Sequence, residues 1–100
     1  MTHSTIPASV DASLAAIFVK AHANVVMLQD RIASGQINPD VVHDVRASIS
    51  ALPISSADYS VAINRLNNAS RYALSGQLGA ADYSIRMLAK SLSNLQKFYA

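Results

Sequence analysis

Apolar residues recur along the chain at spacings of three and four, and clusters of turn-forming residues interrupt them at Pro7, Gly35 to Pro39, Pro53, and Gly76 to Gly79. The pattern predicts four helices. The first runs from about Ser9 to Ser34, with Val10, Leu14, Ile17, Phe18, Ala21, Val25, Leu28 and Ile32 on one face, and Gly35 is its natural stop. Asn38 caps a short second helix with Pro39 at its first position, where a missing N–H costs nothing, and this helix ends at Leu52, before Pro53. Ser55 or Ser56 caps the third, with Asp58 in its first turn and Tyr59, Ala62, Ile63, Leu66, Ala69, Ala73 and Leu74 facing inward. The fourth spans about Ala80 to Tyr99, with Ile85, Leu88, Leu92, Leu95 and Tyr99 inward.

No alternating β-branched run competes with these helices. Short connections favour antiparallel neighbours, so the expected architecture is an all-α, antiparallel up-and-down four-helix bundle. It is expected to form a single domain over residues 1–100, with 1–8 as a flexible N-terminal segment. The tetrapeptide ADYS occurs at 57–60 and again at 81–84, which suggests the same helix-start chemistry used twice.

Composition narrows the function classes. The chain has 100 residues, 51% of them hydrophobic and 14% charged, enough apolar content for one core. The net charge of +2 comes from scattered Lys and Arg without a basic stripe, which argues against a nucleic-acid partner. The absence of cysteine removes disulfide and thiol chemistry. No signal-peptide pattern or membrane-length apolar run is visible, so the expected location is cytoplasmic, with no membrane contact.

The candidate chemistry lies on the second helix. At about 100° per residue, Val41, Val45, Ile49 and Leu52 cluster on one side and His43 falls opposite, facing solvent. Its neighbours on that outer face are Pro39, Asp40, Arg46, Ala47 and Ser50. Asp44 points to the other flank. His3 lies near the terminus and His22 at the core edge of the first helix. No His and carboxylate set has ligand spacing on one helix face, so no metal site is expected.

The stretch HDVRASISALP resembles the signature of histidine-containing phosphotransfer (HPt) domains. In that family's pattern His43 matches the phosphorylated histidine and Val45 the aliphatic residue after it. Arg46 stands at the lysine, Ala47 at the glycine, Ser48 at the serine, Leu52 at the next aliphatic and Pro53 at the closing glycine. The resemblance covers about residues 10 to 98. Arg46 keeps the lysine's charge with a different donor geometry, and Ala47 adds a methyl, so the resemblance is to a divergent member. The same letters are also similar to the H-box of sensor histidine kinases, but Pro53 ends the helix too early for a kinase hairpin and no nucleotide-binding segment follows.

The resemblance implies a phosphorelay carrier of a two-component system, not an enzyme. His43 would exchange a phosphoryl group with an aspartate of a response-regulator receiver domain or a hybrid histidine kinase. Arg46 would neighbour the phosphoryl oxygens, and Pro39, Asp40, Ala47 and Ser50 would form the docking face. The domain needs no cofactor of its own, since the receiver supplies Mg²⁺, and it is expected to act as a monomer. An ordinary imidazole is largely unprotonated at neutral pH and offers a nucleophilic lone pair. Two alternatives stay open: a non-enzymatic helical adaptor or assembly subunit of the secretion or phage type, and an inactive HPt-like protein that sequesters a partner.

Overall fold

The computed structural model describes the backbone of residues 2–99 and the side chains of residues 13–99, and His3 and Val10 lie outside the described side chains. It contains four helices and, among the described residues, no strand: α1 (Thr2–Ala33), α2 (Pro39–Ser50), α3 (Ser56–Leu74) and α4 (Leu78–Tyr99). Each helix packs against two others, α1 on α2 and α4, α3 on α2 and α4. The result is a four-helix bundle. Contacts between α2 and α3 run in opposing sequence order, Ser50 beside Tyr59 and Arg46 beside Asn67, consistent with the expected up-and-down course.

Local chemistry sets most of the helix ends. The Asp40 backbone N–H donates to Asn38 Oδ1 at 2.8 Å, and Pro39 takes the first helical position. Of the two candidate caps for α3, Ser55 is the one used: its Oγ accepts from the Asp58 N–H at 3.1 Å. Gly35 and Gly76 close α1 and α3 with φ of +70° and +80°, a left-handed conformation that other L residues rarely adopt. Three ends differ from expectation: α1 starts at Thr2 and runs through Pro7, α2 stops at Ser50, and α4 begins at Leu78. That early start of α4 also corrects the reading of the second ADYS. Asp82 lies beyond the first turn, and its carboxylate pairs with Arg86 one turn on at 2.7 Å instead of serving the helix terminus.

The core is built from Phe18, Ala21, Val25, Leu28 and Ile32 of α1, Val42, Val45 and Ile49 of α2, Ala62, Leu66, Ala69 and Ala73 of α3, and Ala81, Ile85, Leu88 and Leu92 of α4. Leu52 joins it from the α2–α3 connection, and no polar or charged residue is buried among the described residues. Three inward assignments are corrected. Ile17 is exposed because Phe18 and Ala21 already define the inward line, and Ile17 sits off it. On α2 it is Val42 that is buried, and Val41 only half-buried, since Val42, Val45, Ile49 and Leu52 keep one unbroken three-and-four spacing. Leu74, 71% exposed, is displaced by Ala73, which takes the last inward position of α3.

One tertiary contact fastens the end of α4 to the start of α3. The Tyr99 hydroxyl accepts a hydrogen bond from the Ser55 N–H at 3.1 Å and donates to Asp58 Oδ2 at 2.9 Å. The ring stacks on Phe18, with centroids 6.4 Å apart. Tyr99 thus completes the cap of another helix while its apolar body closes the core.

Candidate functional site

His43 is exposed on α2, as the helical phase predicts. Its surroundings are more specific than an open face. Burial of Val42 turns the helix so that His43 stands over the seam between α2 and α3. There it lines a depression of about 190 Å³ together with Ile37, Pro39, Val42, Arg46, Ser70 and Leu74. The floor is apolar, and His43, Arg46 and Ser70 supply the polar groups.

Arg46 is half-buried, and its Nη2 donates to Asn67 Oδ1 of α3 at 2.9 Å. That bond orients the guanidinium and leaves Nε and Nη1 for other acceptors. Ser50 Oγ donates to the Arg46 carbonyl at 2.9 Å and lies 3.2 Å from the Tyr59 hydroxyl, so it sits on the α3 flank near the other end of α2. Asp40 is exposed in the first turn.

Ala47 is exposed but belongs to a different groove, between α1 and α2, with Ile17, Lys20, Asn24, Asp44, Ser48 and Ala51. Ser48, at the serine of the family pattern, is turned toward the same groove. Its hydroxyl donates to the Asp44 carbonyl and accepts from Asn24 Nδ2 of α1. Among the residues singled out on the sequence, Pro39, His43 and Arg46 therefore share one depression, while Ala47 lies on the opposite flank. Asp44 lines the α1 groove, in keeping with its expected flank. His22 is half-buried, at the core edge as expected.

Asn67, Ser70 and Leu74 were not legible as neighbours of His43. They come from α3, more than twenty positions along the chain, and nothing local to α2 signals them. Leu74 carried an apolar signal, but one that pointed to the core. Among the described residues no group of His and Asp side chains could hold a metal ion, and no helix is long and apolar enough to cross a membrane.

Fold and site together define an all-α four-helix bundle that presents a histidine on its surface. No family model, curated protein or solved structure matches the chain.

Proposed function

We propose that the protein is a phosphohistidine carrier, in which His43 receives a phosphoryl group from the aspartate of a receiver domain or hybrid histidine kinase and passes it on. One observation carries this reading: an exposed imidazole stands on a helix whose opposite side is core, with an oriented arginine one turn along. Carrier chemistry asks little more of the bundle, because phosphoryl transfer depends on positioning and charge neutralisation. A ring nitrogen lone pair forms the N–P bond as the P–O bond to the partner's aspartate breaks and the carboxylate leaves. The receiver contributes Mg²⁺, and Arg46 offers its remaining N–H groups to the phosphoryl oxygens. The apolar floor from Ile37 to Leu74 gives the partner a surface to dock on. A carrier of this kind works in the cytoplasm.

Incubation with receiver domains charged by acetyl phosphate tests the reading. It expects an acid-labile, base-stable label on the wild type, none on His43→Gln, and an undiminished label on His22→Gln. Persistence of label in His43→Gln, or its loss in His22→Gln, refutes the assignment to His43. A second reading, a structural assembly subunit, is favoured by the outward apolar side of α1, where Val19 and Met27 stand exposed. A folded wild type that no receiver labels supports that reading instead.

A further inference from the structure

Helix α1 carries two apolar seams. The inward one, Phe18, Ala21, Val25, Leu28 and Ile32, repeats in alternating steps of three and four and is buried. A second, Ala16, Val19, Ala23, Val26 and Ala33, follows the same steps two residues out of phase, with Asp30 at the remaining position. At about 100° per residue, two positions put this seam on the opposite side of the helix. Every residue of it is exposed, Val19 at 56% and Val26 at 39%, and Met27 beside it is 48% exposed. The grooves that α1 forms with α2 and α4 are lined on its side by Ile17, Lys20 and Asn24 and by Ala15, none of them a residue of this seam.

We infer that this outward seam pairs with the same seam of a second copy of the chain, the two α1 helices running antiparallel about a two-fold axis beside Ala23 and Val26. The heptad spacing is what a helical partner requires, since each apolar residue then seats among four of the facing helix. Small Ala alternating with Val lets the two backbones approach closely.

The charges select a second copy and its direction. Lys20 and Asp30 lie almost symmetrically about the Ala23–Val26 centre. In an antiparallel pair with Ala23 layered on Val26 of the second copy, Asp30 comes beside Val19 and Lys20 of that copy, and symmetry repeats the ion pair. A parallel, in-register pair would set Asp30 against Asp30 at a seam position, an uncompensated charge. The sequence is thus complementary to itself in one direction. The His43 depression lies between α2 and α3, away from this seam, so the inference does not depend on the phosphocarrier reading and replaces the expected monomer with a dimer.

Sedimentation equilibrium on the full chain should show a concentration-dependent dimer. Val26→Glu should raise its dissociation constant by about tenfold or more, equivalent to about 1.4 kcal/mol, with helix content by circular dichroism unchanged. Lys20→Asp should weaken the dimer, and Lys20→Asp combined with Asp30→Lys should restore it. The chain has no cysteine of its own, so single introduced cysteines report direction. Ala23→Cys should cross-link with a short reagent, whereas Ala33→Cys should not, its two copies lying roughly 25 Å apart along the axis. A wild type that stays monomeric overturns the inference. So does a dimer indifferent to Val26→Glu, or one in which Ala33→Cys cross-links as readily as Ala23→Cys.

Discussion

The two ends of the α2–α3 pair are built on different physical terms. At the end where α2 passes into α3, the polar groups are committed to one another: Ser55 caps α3, Tyr99 accepts from the Ser55 N–H and donates to Asp58, and its ring stacks on Phe18. At the other end, Asn38 caps α2 by a purely local bond, and the surface beyond it holds His43, Arg46 and an exposed Leu74 over an apolar floor. The first end converts side chains into stability. The second leaves an apolar depression and the His43 imidazole exposed, and, the Asn38 cap apart, the side chains around that depression should be replaceable at little thermodynamic cost.

Substitutions can break or sharpen that contrast. The largest effect belongs to the core that both ends share: Leu66→Ala, at a fully buried position, should cost about 2–5 kcal/mol in denaturant unfolding, and Leu28→Ala and Leu92→Ala should fall in the same range. Next comes Tyr99→Phe, which keeps the ring and removes the hydroxyl shared by Ser55 and Asp58. A loss of about 1 kcal/mol is expected.

The two caps give a sharper comparison. Ser55→Ala and Asn38→Ala should each cost about 1 kcal/mol. Combined with Tyr99→Phe, however, Ser55→Ala should be non-additive and Asn38→Ala additive, because only Ser55 shares partners with Tyr99. Equal coupling in the two double mutants would erase the distinction between the ends.

The smallest effects on stability are expected at the open end. His43→Gln should shift it by less than about 0.5 kcal/mol while abolishing phosphoryl acceptance. Ala47→Trp provides a finer test of which flank a partner uses. Docking across the outer face of α2 predicts slowed transfer with unchanged helix content. Because Ala47 lines the α1 groove, docking confined to the His43 depression would leave the rate unaltered and remove Ala47 from the contact face.

Much of this molecule is determined within a few residues of each position. Four helices, the Asn38 and Pro39 start, the Ser55 cap, the glycine stops and the exposure of His43 all follow from caps, turns and a three-and-four periodicity, which are interactions between near neighbours in the chain. Tertiary structure decided what near neighbours cannot. On α1, periodicity placed Ile17 on the same face as Phe18 and Leu28, and only packing against α2 and α4 left Ile17 exposed while burying the line from Phe18 to Ile32. It was also packing that buried Val42 in preference to Val41 and thereby swung His43 over α3. Leu74 went to the surface because Ala73 already occupied the inward position, and Asn67 met Arg46 across two helices. Periodicity states that a face is apolar. Which partner covers it, and what stands beside a side chain from another helix, depends on contacts between residues far apart in sequence.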